Sequence, residues 1–301
     1  MKFVTVQHQG RILAGLWLAD GVLDLQQAAR RSGEGANMSS VLEIIRGGER
    51  SLQAVRALAA GAQAAKAALL EHEAVQLLSP IPQPLRNIFC VGRNYLDHVK
   101  EGHAARGTDL KLPEVPQFFT KATLAMNSPT GDVRLDPRLT HHLDYEVELA
   151  VIIGRAGRDI APGQAFEHIF GYAVSNDITA RDVQRRHDQW FKGKSLDTTF
   201  PFGPWIIDRE EIGDPTTLEL IMQVNGEERQ RAHVSQMIFD IPTIIASLSA
   251  GLTLDAGDII ATGTPSGVGY AMKPPQNLRG GDVLTTSISR IGELRNRVVE
   301  V

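Results

Sequence analysis

The sequence predicts an α+β fold, mainly β, built as a mixed β-sandwich or roll with short helices. Three observations lead there. Beyond residue 85, short apolar runs alternate with turn residues, and few segments are long enough for helices. The two clearest helical stretches both lie in the first quarter of the chain. Between these regions, Ser79-Pro80-Ile81-Pro82-Gln83-Pro84 concentrates prolines in a way that favours an extended connector. We therefore expect a small α+β N-terminal domain over 1–79 and a larger, β-rich domain over 85–301.

The elements follow in order. Residues 2–25 alternate as short strands joined at Gln9-Gly10 and Asp20-Gly21. Helices are expected from Ser39 to Arg46, stopped by Gly47-Gly48, and from Ser51 to His72, a stretch rich in alanine and leucine. Strands are expected at 88–91, 118–120, 133–135, 144–153, 170–177, 218–224, 258–262 and 283–288. Asn94 to Gly102 reads as a short helix, and 102–117 as a long loop. Residues 178–194 read as part helix, part loop, and Ile241 to Ser249 as a helix ended by Gly251.

Bulk properties narrow the partners. With 301 residues, 43% hydrophobic and 22% charged, the chain supports a packed core. Its net charge is −4 and it has no basic block, which argues against nucleic acid. No apolar run approaches the ~20 residues that span a bilayer, and the N-terminus lacks the apolar core of a signal peptide. The single cysteine, Cys90, sits in an apolar strand pattern and reads as a small core residue. A soluble, cytoplasmic protein is expected.

The chemistry concentrates in Asp144-Tyr145-Glu146-Val147-Glu148-Leu149-Ala150-Val151-Ile152-Ile153. Side chains two apart on a strand share a face, so Glu146 and Glu148 lie together, opposite Tyr145, Val147, Leu149 and Val151. Two carboxylates side by side in an apolar setting repel. One can stay protonated, both can be solvated, or a cation can lie between them; we read a cation. Asp177, at the end of the strand that follows, is the natural third ligand. Three carboxylates suit a hard divalent ion such as Mg²⁺ or Mn²⁺. The competing reading of Glu-x-Glu alone is an exposed strand face. His141-His142 reads as solvated and is set aside.

Five segments in one order carry a family resemblance: Gly92-Arg93-Asn94-Tyr95-Leu96-Asp97-His98, Asp144 to Leu149, Asn176-Asp177-Ile178-Thr179-Ala180-Arg181-Asp182, Lys192-Gly193-Lys194-Ser195-Leu196-Asp197, and Gly263-Thr264-Pro265-Ser266-Gly267-Val268-Gly269. Together they resemble the fumarylacetoacetate hydrolase family, within its acylpyruvate hydrolase and oxaloacetate decarboxylase-like members that carry an extra N-terminal domain. The resemblance spans about 86–300. It implies a β-sandwich roll with a metal site at one end, a homodimer, and Glu146, Glu148 and Asp177 as Mg²⁺ or Mn²⁺ ligands.

The same resemblance assigns roles elsewhere. His98 and Glu101, three apart on a helix face, are implied as the water-activating pair on a lid helix. Lys194, rather than Lys192, is implied to face metal and substrate, where it offsets the carboxylates and meets a developing oxyanion. Gln184 and Thr264 are implied to line the pocket. Arg93, Tyr95, Lys121 and Arg181 are candidates for holding substrate carboxylates, with a structural ion pair the competing reading for the arginines.

The expected reaction is hydrolysis of a C–C bond in an acylpyruvate-type 1,3-diketo acid, a small anionic keto acid such as fumarylpyruvate, maleylpyruvate or a 2,4-diketo sugar acid, in aromatic-compound catabolism. The alternatives are oxaloacetate decarboxylation or tautomerisation and isomerisation of a 2-hydroxy-diene dioate. A further alternative is a non-enzymatic, metal-stabilised binding domain.

Overall fold

The computed structural model describes residues 1–61 and 68–301. The N-terminal part contributes strands β1 (Lys2–His8), β2 (Arg11–Leu18) and β3 (Gly21–Asp24), helices α1 (Leu25–Ser32), α2 (Val41–Arg46) and α3 (Gly48–Ala60), then β4 (Leu69–Leu70) and β5 (Gln76–Leu78). After the prolines come β6 (Ile88–Gly92), α4 (Leu96–Arg106), β7 (Gln117–Lys121), β8 (Met126–Asn127), β9 (Val133–Leu135), β10 (Leu143–Asp144), β11 (Val147–Ile153), β12 (Ile169–Asn176) and β13 (Thr179–Ala180). The chain continues through α5 (Arg181–Arg186), α6 (Phe191–Lys194), β14 (Phe200–Asp208), α7 (Arg209–Ile212), β15 (Glu219–Val224), β16 (Glu227–His233), α8 (Ile241–Ser249), β17 (Ile259–Ala261), β18 (Val283–Ile288) and β19 (Gly292–Glu300).

A mixed sheet runs β4-β3-β2-β1-β14-β12-β11-β17-β6-β7, with β5 also on β1 and β8 on β14. A five-stranded sheet, β16-β15-β18-β19-β9, packs over one of its faces. The interface obeys the strand period. Val147, Leu149, Val151 and Ile153 of β11 meet Leu220, Met222, Leu284, Leu294 and Val298 in one core. The alternate residues Ala150 and Ile152 point the other way and join Val41, Ile44, Ile45 and Val55 from α2 and α3. Because both faces of β11 are covered, its sequence reads as continuous apolar residues rather than an alternation. Glu146 and Glu148 follow the even-numbered side.

The proline connector lies where the two expected units meet, and the large sheet runs through that boundary. Lys2 and Phe3 of β1 pair with Ile207 and Ile206 of β14. Ser40 caps α2 by accepting the Glu43 N–H at 3.1 Å. The second expected helix is shorter than the sequence suggests. It starts at Gly48 and ends at Ala60, short of Gly61; its expected course over 62–67 lies outside the described residues, and Leu69–Leu70 forms a strand on β3. The helix expected over 94–102 runs instead from Leu96 to Arg106, where Gly107 at φ 64° terminates it. The expected strand 144–153 is broken at Tyr145 and Glu146, between β10 and β11. Among the described residues, no helix is long and apolar enough to cross a membrane.

Candidate metal centre and acid pocket

The break in the strand builds the site. Asp144 pairs with Thr179 and Val147 with Asn176, so Tyr145-Glu146 faces Asp177-Ile178 where regular pairing lapses. The Asp177 N–H still donates to the Glu146 carbonyl at 2.8 Å, and the Glu146 N–H donates to Asn176 Oδ1 at 2.9 Å. These bonds hold Glu146 and Asp177 side by side. Glu146, Glu148 and Asp177 are all buried, each with a carboxylate oxygen within 4.8 Å of the other two. A hard divalent cation with bonds of about 2.0–2.6 Å closes such a gap with small side-chain movements.

The surroundings fit that ion. Lys194 Nζ lies 2.6 Å from both Glu146 Oε2 and Asp177 Oδ2. Lys121 Nζ is 2.7 Å from Asp177 Oδ1. Arg181 Nη2 is 2.6 Å from Glu146 Oε1, while its Nε donates to Asp144 Oδ2 at 2.9 Å. Four buried carboxylates (Asp144, Glu146, Glu148, Asp177) thus face three buried cations, and the unmatched one is Glu148. Among the described residues it accepts only the Gly263 N–H, at 2.9 Å. Burial, with Asp177 and Glu146 adding repulsion, pushes its carboxyl well above the usual carboxylate range. Burial works on Glu146 too, but Arg181 and Lys194 outweigh it and hold that carboxyl down to about 2. For Lys194, Asp177 and Glu146 overcome burial and hold the ammonium charged well above its ordinary range. One unpaired buried carboxylate, Glu148, beside two that are held by cationic side chains, Glu146 and Asp177, is a donor set that a divalent cation can complete.

Above this cage opens a pocket of about 170 Å³. His98, Arg93, Arg181, Gln184, Lys194 and Thr264 all line it. His98 Nδ1 donates to Glu101 Oε1 at 2.9 Å, since the carboxylate can only accept. Glu101 Oε2 accepts the Gly267 N–H at 2.9 Å, which docks α4 onto the 263–269 loop. Gln230 ties the same loop to the metal strand. Its Nε2 donates to Thr264 Oγ1 and the Pro265 carbonyl, each at 2.8 Å, and its Oε1 accepts the Val147 N–H at 3.0 Å.

Two expected substrate contacts are placed elsewhere. Lys121 is fully buried beneath Asp177, its ammonium taken by that carboxylate and by the Ile178 carbonyl at 2.9 Å, so it faces the cage and not the pocket. Tyr95 is 2% exposed and lies outside the pocket wall, and burial together with Glu148 pushes its phenol well up. Arg181 does reach the pocket, but its guanidinium is already matched by Asp144 and Glu146. Cys90 is buried and its thiol is pushed up by burial, as suits a core residue.

The sequence reading passed over Asp144, Arg106, Arg185, Trp190 and Tyr270. Asp144 accepts from Arg181 and from the Gly269 and Tyr270 amides, at 2.8 and 3.2 Å for the latter two. The other four line the pocket. The one local signal was Arg185, which follows Arg181 by four residues on a helix and therefore shares its face.

With fold and site in hand, the protein class is defined. Residues 87–299 match the family model described as "Fumarylacetoacetate (FAA) hydrolase C-terminal", and the chain belongs to the fumarylacetoacetate hydrolase family. It is 43% identical to oxaloacetate tautomerase YisK of Bacillus subtilis (strain 168), over 99% of this chain and 100% of that protein. It is 36% identical to the mitochondrial oxaloacetate tautomerase FAHD2A of Bos taurus, over 98% and 91%. Among solved structures, a fumarylacetoacetate hydrolase from psychrophilic Exiguobacterium antarcticum superposes with TM-score 0.83 at 40% identity, covering 100% of both chains. A maleylpyruvate hydrolase from Sphingobium sp. SYK-6 superposes at 0.76 with 29% identity, again over 100% of both chains.

Proposed function

We propose that this protein interconverts the keto and enol forms of oxaloacetate or a closely similar 2-oxo diacid. The observation that carries the reading is His98 in the pocket above the acid cage. Its Nδ1 is occupied by Glu101, so Nε2 is the ring atom left to exchange a proton with a bound acid. The whole-length similarity to two oxaloacetate tautomerases supports the same chemistry. C–C hydrolysis, the reaction expected from the sequence, becomes the second reading; the maleylpyruvate hydrolase neighbour is what favours it.

In the proposed reaction the 2-oxo acid end sits at the cage and C3 lies within reach of His98. A divalent ion, Mg²⁺ or Mn²⁺, held by Glu146, Glu148 and Asp177 would act as a Lewis acid that makes the C3 proton easier to remove. In the keto-to-enol direction His98 takes that proton from C3, the C–H electron pair moves through C2 to the C2 oxygen, and that oxygen takes up a proton from solvent as the enol leaves. In the other direction the enol O–H proton goes to solvent and His98 returns a proton to C3, with Glu101 holding the ring in one tautomer. Lys194 keeps Glu146 and Asp177 charge-matched and presents its ammonium to the pocket. No water is consumed. Hydrolysis would use the same His98 nitrogen to activate water against a distal carbonyl.

The test is to mix Mg²⁺-loaded protein with freshly dissolved enol oxaloacetate and follow enol absorbance, with pyruvate release measured in parallel. The reading requires enol loss to accelerate well ahead of pyruvate formation. Cleavage of acylpyruvates without acceleration of that exchange would transfer the site to hydrolysis.

A further inference from the structure

At the outer wall of the pocket, Tyr270 is surrounded by guanidinium groups. Arg181 Cζ lies 4.6 Å and Arg185 Cζ 5.3 Å from its ring centroid, and Arg106 Nη1 reaches its hydroxyl at 3.5 Å. Across the mouth, Arg93 Cζ sits 5.6 Å from the Trp190 ring. These four arginines fall into two sets. Arg181 is matched by Asp144 and Glu146. Arg93, Arg106 and Arg185 line the same pocket and have no carboxylate partner among the described residues. Burial, and then Arg106, lowers the Arg93 guanidinium from its ordinary value, as expected where like charges gather without an anion between them.

The inner end of the pocket needs one carboxylate, from the 2-oxo acid end. Three unmatched cations at the outer end call for a second. Arg185 is best placed to read it. It shares a face of α5 with Arg181 and Gln184, and it is braced against Tyr270, whose amide is fixed by Asp144. A planar guanidinium held over a ring can present a fork to a carboxylate with little added ordering.

We propose that Arg185, supported by Tyr270, is the specificity-determining residue for a second, distal carboxylate, so that the site prefers 2-oxo dicarboxylic acids to 2-oxo monocarboxylic acids of the same length. This deepens the proposed function and rests on that reading for the placement of the 2-oxo end. The tyrosine has a second part in this arrangement. Its ring contacts both the matched Arg181 and the free Arg185, so the two guanidiniums pack on one aromatic side chain. Arg185 is exposed, and its pull on the anion weakens as salt is added.

Binding, not turnover, tests this. Titration calorimetry on the Mg²⁺-loaded full chain would compare 2-oxoglutarate with 2-oxopentanoate, which has the same length and lacks the distal carboxylate, and would use oxalate as a probe with no distal end. In the wild type, 2-oxoglutarate should bind about tenfold tighter than 2-oxopentanoate, a difference of about 1.4 kcal/mol. Arg185→Gln should bring that ratio close to one and leave oxalate affinity within about twofold; Arg185→Lys should restore part of the ratio. A ratio of one in the wild type, or an undiminished ratio in Arg185→Gln, overturns the assignment. An equal loss for all three probes also overturns it, because it reports a general disturbance of the site. A wild type that shows the preference but does not speed keto–enol exchange of oxaloacetate retains the Arg185 assignment while removing the tautomerase reading.

Discussion

Glu101 accepts the Gly267 N–H with one carboxylate oxygen and His98 Nδ1 with the other, both at 2.9 Å. One side chain therefore orients the proposed base and latches α4 to the loop that carries Thr264. Removing the carboxylate should cost both functions, and removing only its charge should spare the latch. Glu101→Gln is expected to keep hydrogen-exchange protection in α4 while lowering kcat about 10²-fold. Glu101→Ala should also lose that protection and raise KM, because a loosened lid binds substrate less well. Amide exchange and steady-state kinetics on the two variants separate the roles; identical α4 protection in both would remove the latch.

His98→Ala tests the base directly. His98 lines the pocket and is not one of the clustered carboxylates, so its loss should leave Mg²⁺ affinity within about twofold while lowering keto–enol exchange by 10² to 10⁴-fold, the usual range for a lost general base. Metal titration and rate measurement on the same preparation suffice. Activity that survives the change would place the proton transfer elsewhere.

The acid cage makes metal binding depend on pH with a definite sign. Glu148, buried against Asp177 and Glu146, has a folded-state carboxyl well above its ordinary 4.5. A raised folded value means that the ion-free protein takes up a proton there on folding. The associated stability is present below the unfolded value and is lost as pH rises through the folded one. Divalent ion binding needs that proton gone. The ion-free protein should therefore lose thermal stability as pH climbs above about 4.5, and the Tm gain from added Mg²⁺ should grow over the same interval, with proton release on loading. Calorimetry in buffers of different ionisation enthalpy would measure the released proton. A Tm gain that shrinks with rising pH contradicts the cage as described.

How far the sequence exposed this site depends on the range of each signal. The faces of β11 followed from a period of two, and the structure puts Val147, Leu149 and Val151 in one core and Ala150 and Ile152 in another. The short helix that bears His98 was legible too, but its last turn was read as loop, and Arg106 was lost with it. The pairing of Phe3 with Ile206 leaves no local pattern, because its partners are about two hundred residues apart. Nor does a sequence show which cation lies under which carboxylate. Lys121 and Lys194 both follow aromatic-rich segments, yet only Lys194 faces the pocket. Tyr270 becomes meaningful only once three arginines from two helices surround it.

Lys121 supplies the sharpest test of the electrostatic account, because it predicts opposite changes in two measured quantities. The residue is fully buried, and burial lowers its ammonium from the ordinary value while Asp177 acts to raise it. Its partner Asp177 also faces Lys194, so the cage keeps two cations against a carboxylate that is a candidate metal ligand. Lys121→Met retains most of the volume and removes one charge. Asp177 then loses a buried partner, which costs about 3–5 kcal/mol when a buried pair is broken on one side. The same loss makes the cage more negative, so a divalent ion gains attraction. Metal-free Lys121→Met should melt well below the metal-free wild type, bind Mg²⁺ more tightly, and recover a larger share of its Tm when the ion is added. Weaker Mg²⁺ binding together with lower stability would mean that Lys121 shapes Asp177 for the ion instead of competing with it, and the charge balance proposed for the cage would have to be redrawn.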